Sequence, residues 1–249
     1  MENLNWDAAS QFGDLRSVLD PHDATGLKNL LIDRMHWNAI KKHMPKSKKI
    51  LDFGCGIGRF GERLDSYGLR YTGIDNSLGM IRAAREFTRN DKLNFVHFDG
   101  MRIPFHDSSF DVVLSSEVFT FILKSPSSKD ILSEIRRVLV PGGRLIMLEQ
   151  ASVSGRKSES AQHIVTENDY VNALSGDFKI NDQYKVRSPD FSKLACRLID
   201  SKKIPASLFP WIVKPLARYE SKLVNKAPED YFKTTSYYDF LLDAVLSGK

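Results

Sequence analysis

Cysteine is scarce in this sequence, with only Cys55 and Cys196 among 249 residues. The two are far apart and form no C-x-x-C pair, which argues against a disulfide framework and against a cysteine-based zinc site. The six histidines show no H-E-x-x-H or comparable ligand spacing, so no metal is predicted. This cysteine usage is typical of a reducing compartment, and we expect the protein to be cytoplasmic.

Long apolar runs and a strong charge imbalance are also missing. No stretch of about 18 apolar residues occurs, which predicts no transmembrane segment, and the amino-terminal MENLNWDAAS lacks the basic and apolar regions of a secretory signal. The formal net charge is +5, and the densest cationic cluster, KKHMPKSKK (Lys41–Lys49), has no interleaved aromatic residues. That cluster is either a solvated helix end or a binding site for an anionic substrate. Because it lacks aromatic residues on which bases could stack, nucleic acid is not an expected partner.

What the sequence does contain is an alternation of short apolar runs and helical stretches between Lys49 and Gln150. The predicted strands are KKILDF, YTGID, LNFVHF, FDVVLSS and GRLIMLE, and the predicted helices include RFGERLDSYG, SLGMIRAAREFTR and KDILSEIRRVL. This βαβ order predicts an α/β fold with a doubly wound parallel sheet and helices on both faces. The loops that follow the strands then gather along one edge of the sheet, where ligands bind.

The remainder of the chain is predicted to extend this domain. TENDYVNAL begins a helix with Thr166 and Asp169 as its capping box, FKINDQYKVR alternates as a strand, and SYYDFLLDAVL suits the last strand. Between these two strands lies LFPWIVKPLARY, an apolar patch interrupted by prolines. The predicted regions are an amino-terminal helical lid (1–46), a cofactor-binding core (47–150), and the rest of the same domain (151–249) with an acceptor-binding insertion at about 189–230.

The turn after the first strand, ILDFGCGIGRFG (Ile50–Gly61), is rich in glycine. Gly56, Gly58 and Gly61 satisfy G-x-G-x-x-G, the pattern of dinucleotide-binding loops, which alone is a weak signal. Asp52 precedes these glycines and would repel a pyrophosphate, which binds best at a helix amino terminus. A ligand that carries an ammonium and a sulfonium group would instead be attracted, and S-adenosylmethionine is such a ligand.

Four segments then occur in order over about 100 residues: ILDFGCGIGRF, YTGIDNS, FVHFDGMRIPFHDSSFDVVLSSEV and RRVLVPGGRLIMLE. Together they resemble the motifs of class I S-adenosylmethionine-dependent methyltransferases of the small-molecule or glycan type, with a methyltransferase-11-like core. The resemblance implies a Rossmann-like sheet of seven strands, mostly parallel, with the last strand antiparallel. It also implies S-adenosyl-L-methionine as the cofactor.

The resemblance further implies which residues bind that cofactor. Asp52 is expected near the methionine amino group, Asp75 at the ribose hydroxyls, and Asp99 at the adenine amino group. Asp75 could instead cap the following helix, and Asp99 could be a turn residue before Gly100. The other implied cofactor-binding residues are Gly54, Gly56, Asn76, Gly100, Met101 and Ser116.

Catalytic residues are less well indicated by the sequence. His163 is the first candidate for a general base, because it follows the fifth strand and its reference pKa suits the task; a surface histidine is the other interpretation. Glu117, which follows the fourth strand, faces the methyl end or is a solvated loop carboxylate, and Tyr170 is a further candidate. The expected aromatic walls are Trp6 and Phe12 in the lid, and Phe209 and Trp211 in the insertion unless these simply pack an additional helix.

The function predicted from these observations is O-methylation of a hydroxyl on a sugar, glycan or secondary metabolite. The fourth strand ends in LSSEVF, without the Asn or Asp followed by two prolines that amino-directed nucleic-acid methyltransferases use. Carbon methylation of an apolar, prenylated acceptor is an alternative, in which LFPWIVKPL makes a peripheral contact with a membrane. A non-catalytic S-adenosylmethionine-binding interaction module and a nicotinamide-dependent dehydrogenase are the remaining alternatives.

Overall fold

The computed structural model describes residues 5–46, 48–152, 165–188, 205–227 and 237–247. Its strands form one seven-stranded sheet in the order β3-β2-β1-β4-β5-β7-β6. β7 runs antiparallel to both of its neighbours, while the pairs among β1–β5 are parallel, so the predicted fold class is confirmed. The strands are β1 Lys49–Phe53, β2 Arg70–Asp75, β3 Asn94–His97, β4 Phe110–Ser116, β5 Leu139–Ser152, β6 Phe178–Arg187 and β7 Tyr237–Leu246.

Helices cover both faces of this sheet because its central strands are apolar on both sides. In β4, Val112 and Leu114 belong to the apolar core on one face, and Val113 belongs to the core on the other. The capping box predicted at Thr166 and Asp169 is present at the start of its helix. The helices are α1 Trp6–Ala9, α2 Leu27–Ile40, α3 Gly61–Ser66, α4 Leu78–Phe87, α5 Phe119–Ile122, α6 Ser128–Val138, α7 Glu167–Leu174 and α8 Phe209–Lys226.

Strand order reverses at β1, which pairs with β2 on one side and with β4 on the other. The connections that leave β1 and β4 therefore pass to opposite faces of the sheet and open a crevice at its carboxyl edge. This topological switch point is the usual ligand site of open α/β sheets.

The two halves of helix α2 pack against different parts of the molecule. The second half of α2 packs into the core of one sheet face through Trp37, Ala39 and Ile40. Its first half packs against α8, which lies in the predicted insertion, in a small apolar cluster that includes Leu31 and Phe209. Within the described ranges, no helix combines the length and the apolarity needed to cross a bilayer.

Candidate active site

A cavity of about 540 Å³ lies at the carboxyl edge of the sheet. The loops that follow β1, β2 and β4 line it, together with the amino-terminal segment from Arg16 to His22. This volume falls within the range of small-molecule and cofactor sites. Apolar side chains in the lining include Trp6, Val18, Ile32, Val118, Phe121 and Ile122.

Gly54 and Gly56 shape the loop that follows β1. Their φ angles are 70° and 53°, in the left-handed region that is costly for any residue with a Cβ. A Cβ on Gly54 would lie 2.3 Å from Cγ2 of Val118, and one on Gly56 would lie 2.5 Å from Cγ1 of Val18. The loop therefore brings bare backbone to the cavity at positions where no side chain fits.

Asp52, near the end of β1, is buried and lines the cavity. The Tyr71 hydroxyl donates a hydrogen bond of 2.7 Å to its Oδ2. Burial raises the pKa of Asp52 to about 6, against the lowering effects of the Tyr71 hydrogen bond and the Arg59 guanidinium. The ionised carboxylate is thus incompletely compensated, and a cation in the adjacent cavity would stabilise it.

Asp75, the last residue of β2, also lines the cavity. Its Oδ2 accepts the N–H of Gly56 and its Oδ1 accepts the N–H of Ser77, both at 2.9 Å. Burial raises its pKa, opposed by these backbone donors. Because each carboxylate oxygen keeps a further acceptor position, Asp75 can also accept hydrogen bonds from two ligand hydroxyls. The N-cap of α4 is Ser77, whose hydroxyl accepts the N–H of Met80 at 3.0 Å.

Four further residues predicted to bind the cofactor fall into two groups. Asn76 and Gly100 line the cavity. Asp99 is exposed and lies outside the lining, and its Oδ1 accepts the N–H groups of Met101 and Arg102 at 2.8 and 2.9 Å. Asp99 therefore has the turn role that the sequence left open, and these backbone donors lower its pKa. Met101 is 68% exposed and also lies outside the lining.

At the end of β4, Ser116 and Glu117 both line the cavity. The Ser116 hydroxyl oxygen accepts a hydrogen bond of 2.9 Å from Nη2 of Arg59. Glu117 has a φ of 58°, a conformation that costs a residue with a side chain about 1 kcal/mol or more. It is half-buried, and Nε2 of Gln150 lies 3.5 Å from its Oε1. Such strain is often found at functional sites.

A buried ionic network lies beside Glu117. Oδ2 of Asp239 accepts a hydrogen bond of 2.9 Å from Arg187 and lies 3.0 Å from Nε2 of His36. Nδ1 of His36 lies 3.3 Å from both terminal nitrogens of Arg59, which can only donate, so this pattern assigns the imidazole proton to Nε2. Burial by itself would raise the pKa of Asp239, but Arg187 and His36 hold it below its usual value.

His36, Glu117 and Asp239 bring possible metal-ligand atoms within 4.8 Å of one another, the one such group found among the described residues. Arg59 and Arg187 already donate to His36 and Asp239 and place two positive charges beside them. A divalent cation would have to displace both guanidinium groups. The donor set fits an ion-pair network better than a metal centre, and we assign no metal to it.

Glu149, on β5, is a completely buried carboxylate behind the loop that follows β4. It accepts hydrogen bonds from the Ser115 hydroxyl at 2.9 Å and from the backbone N–H groups of Thr120 and Val118 at 3.0 and 3.3 Å. Burial raises the pKa of Glu149 to about 7, against these donors. Glu149 thereby fixes the backbone that positions Val118 in the cavity wall.

Tyr170, one of the predicted bases, does not lie in this cavity. Tyr170 is completely buried in the core, where its hydroxyl donates to the backbone oxygen of Gln150 at 2.9 Å. Burial raises its pKa well above the ordinary tyrosine value, which disfavours the phenolate that a base would need. The position of Tyr170 therefore argues against a catalytic role, and His163 lies outside the described residues.

The predicted aromatic walls are present only in part. Trp6 lines the cavity and packs edge-on against Phe121, with ring centroids 5.4 Å apart. Phe12 is exposed and outside the lining. Phe209 is buried between α2 and α8, and Trp211 points into solvent, so the described part of the insertion is a packed helix rather than a cavity wall.

The sequence did not predict the polar side of the cavity, which is formed by residues of β6 and β7. Arg187 and Tyr237 line it, and Arg187 pairs in register with Asp239 across β6 and β7. No local pattern predicts this pair, because the two residues meet only through the antiparallel register. Of the residues in this network, only Arg59 could have been noticed from the sequence, because it lies inside the glycine-rich motif.

The comparisons with known proteins agree with this geometry. Residues 51–147 match the family model of a methyltransferase domain. A sterol 24-C-methyltransferase from Gibberella zeae is 38% identical over 113 residues, which cover 43% of this chain and 29% of that protein. A sterol 24-C-methyltransferase from Pneumocystis carinii is 29% identical over 133 residues, or 51% of this chain and 34% of that protein. The matched region thus spans about a third of the length of these curated relatives.

Among solved structures, phosphoethanolamine N-methyltransferase 2 from Haemonchus contortus, in complex with S-adenosyl-L-methionine, has the same fold. Its TM-score is 0.59 at 19% identity, over 88% of this chain and 53% of that one. The sheet order, the switch-point cavity and the family match all point to one class of protein. Residues 51–147 therefore form a methyltransferase domain of the S-adenosylmethionine-dependent type.

Proposed function

We propose that this chain transfers a methyl group from S-adenosylmethionine to a hydroxyl of a small molecule, such as a sugar, glycan or secondary metabolite, bound beside Glu117. One observation carries the proposal: a single cavity joins Asp52 and Asp75 on one side of the glycine loop with Glu117 and Arg187 on the other. The cofactor supplies a methyl group activated by a sulfonium. The protein has to hold the reactants in line and to exclude water.

In this proposal the residues around β1 and β2 hold the cofactor. Asp75 would accept the ribose hydroxyls with its remaining lone pairs, and Asp52 would face the methionine ammonium group. Two carboxylates beside bare backbone suit a cationic nucleoside and would repel a diphosphate. Asp99 and Met101 have no part in the proposal, because both lie outside the cavity. Further contacts would come from Gly54, Gly56, Asn76, Gly100 and Ser116.

Glu117 is the proposed general base. A carboxylate at the end of β4 can accept the hydroxyl proton as the methyl group is transferred. Arg187, Tyr237 and Gln150 line the same part of the cavity and supply donors for the other polar groups of the acceptor. These polar side chains support a hydroxylated acceptor over a purely apolar one.

Carbon methylation of a lipid-like acceptor is the second candidate. The curated relatives favour it, because the two described above are sterol 24-C-methyltransferases. The apolar lining also supports it, since Trp6, Val118, Phe121 and Ile122 could enclose a hydrocarbon skeleton. In this reaction Glu117 would take the proton that the methylated carbon loses.

The decisive experiment supplies S-adenosylmethionine with a ¹³C-labelled methyl group to the protein together with hydroxylated sugars, phenols and sterol-type acceptors. Mass spectrometry finds the methylated product, and its ¹³C chemical shift separates an O-methyl from a C-methyl group. An O-methyl product is expected, whereas a C-methyl product would establish the second candidate. Cofactor binding without transfer to any acceptor would favour a binding module.

The role of Glu117 is tested by replacing it with glutamine. Glu117→Gln should lower kcat by about 100-fold or more, because a general base is worth roughly 10² to 10⁴ in rate, and it should leave the Kd for the cofactor within about twofold. Glu86→Gln, an exposed position on α4, is the matched control and should change neither value. A Glu117→Gln rate within a factor of about two of the wild type would remove Glu117 as the base.

A further inference from the structure

The solvent-facing side of α8 combines aromatic and basic side chains. Trp211 is 80% exposed, Tyr219 is 61% exposed, and Leu208, which precedes the helix, is 51% exposed. The one acidic residue of the helix, Glu220, is buried. We call this surface the α8 face; its members are Leu208, Trp211, Lys214, Pro215, Arg218, Tyr219, Lys222 and Lys226, all of them exposed.

Helical spacing places these residues on one side of the helix. The cations from Lys214 to Lys226 recur every four residues, and Trp211 and Tyr219 are eight residues apart, so all of them fall on the same side at 100° per residue. The opposite side carries Phe209 and Val213, which are buried against α2. The exposed aromatics therefore contribute little to holding the helix in place, and Leu208, Trp211 and Tyr219 together form the kind of exposed apolar group that marks an interaction site.

The positive charge continues from α8 onto the end of α2. Lys41 follows α2, and its pKa is lowered by burial and by the neighbouring positive charges of Arg218, Arg34 and Lys42. Arg218 belongs to the α8 face, so cations from the two helices converge there. The cationic cluster beginning at Lys41 in the sequence thus joins a larger basic surface.

We propose that the α8 face binds the surface of a lipid bilayer that contains anionic lipids. Tryptophan and tyrosine side chains are enriched at the headgroup level of membranes, where their rings are partly buried and their polar atoms stay hydrated. Lysine and arginine bury their aliphatic stems beside them and hold their charges among the anionic headgroups. The mixture of Trp211 and Tyr219 with four cations and no exposed acid on α8 matches this environment.

A nucleic-acid strand fits the same surface less well. Proteins that bind single strands follow the phosphate backbone along a positively charged groove and stack bases on aromatic platforms. The α8 face is instead the convex side of one helix. The bilayer proposal is independent of the methyltransferase reaction, because no member of the α8 face lines the cavity.

Sedimentation with vesicles tests the proposal on the full chain. The protein should bind vesicles of 70% phosphatidylcholine and 30% phosphatidylserine, bind pure phosphatidylcholine far more weakly, and dissociate as salt is raised. Each basic residue near such a surface contributes about fivefold in partitioning, so the double variant Lys214→Gln/Arg218→Gln should partition roughly 25-fold less. Trp211→Ala should lower partitioning on the order of tenfold, because it removes a large apolar ring from the contact.

The matched control removes two exposed lysines elsewhere, Lys129→Gln/Lys179→Gln, and should stay within about twofold of the wild type. Lipids with bromine-labelled acyl chains should quench a larger fraction of the tryptophan fluorescence in the wild type than in Trp211→Phe. Equal losses in the control and in the α8 variants would overturn the proposal, as would equal quenching with and without Trp211. Binding of single-stranded nucleic acid through the same residues, without vesicle binding, would assign the face to nucleic acid instead.

Discussion

If Asp52 faces the cofactor as proposed, its buried carboxylate should make cofactor binding depend on pH. Burial raises its pKa from 3.8 to about 6. The folded protein therefore holds the Asp52 proton more tightly than the unfolded chain does, and folding loses stability as the pH rises from about 4 through 6. At pH 7 this cost approaches about 3 kcal/mol, because a shift of one pKa unit corresponds to 1.36 kcal/mol.

A cation bound beside Asp52 reverses the preference and favours the ionised form. Ligand binding should then release a proton below pH 6, and the Kd for S-adenosylhomocysteine should be about tenfold weaker at pH 5 than at pH 7. Asp52→Asn should raise the free energy of unfolding of the ligand-free protein at pH 7 by up to about 3 kcal/mol. The same variant should bind the ligand more weakly at pH 7 and lose the pH dependence.

Isothermal titration calorimetry in two buffers of different ionisation enthalpy measures both the affinity and the protons released, and urea unfolding measures the stability. Among the described residues, the ionisable groups beside Asp52 are Tyr71, Arg59, Asp75 and Cys55. Glu149, whose pKa is about 7, lies under the neighbouring loop. Glu149→Gln is therefore a control and should keep the step near pH 6. An unchanged pH dependence in Asp52→Asn, or a loss of stability in place of a gain, would refute the reasoning.

Three further predictions concern backbone strain and buried charge. Gly142→Ala should lose about 1 kcal/mol of unfolding free energy, since Gly142 has a positive φ angle and open space around it. Gly56→Ala should lose more, because its Cβ would also lie 2.5 Å from Cγ1 of Val18. Titration should show at least tenfold weaker cofactor binding for Gly56→Ala only, because Gly56 lines the cavity and Gly142 does not. Glu117→Gly and Ser108→Gly should each raise the free energy of unfolding, measured in urea, by up to about 1 kcal/mol, because each relieves a positive φ angle. Methyl transfer should be lost only in Glu117→Gly. A lower stability of both variants would contradict the assigned strain. Asp239→Asn should lose about 3–5 kcal/mol because it leaves a guanidinium group buried without its counter-charge, and a loss below about 1 kcal/mol would mean that the pair is effectively solvated.

The local features of this fold could be predicted from the sequence because local chemistry determines them. Alternating apolar runs indicate strands whatever the rest of the chain does, and Thr166 with Asp169 indicates a helix start. The glycine loop with Asp52 and Asp75 is local in the same sense, since each carboxylate lies at or next to the last residue of a strand and parallel strands bring their ends to one edge of the sheet. These residues were therefore found together, as predicted.

Asp99 and Tyr170 show where sequence reasoning stops. A motif position does not fix which way a side chain points: the Asp99 carboxylate is used by the N–H groups of its own turn, and Tyr170 points into the core. The exposure of the α8 face likewise depends on which side of the helix meets α2.

The sequence by itself determined the strands of the core, the glycine loop and the cofactor class, because each depends on residues close together in the chain. Tertiary structure alone decided the polar side of the cavity. Arg187 and Asp239 are far apart in sequence and meet only through the β6–β7 register, and His36 reaches Asp239 from helix α2. Buried charges stay in place only with their partners, so the network exists only once all of these elements have folded together.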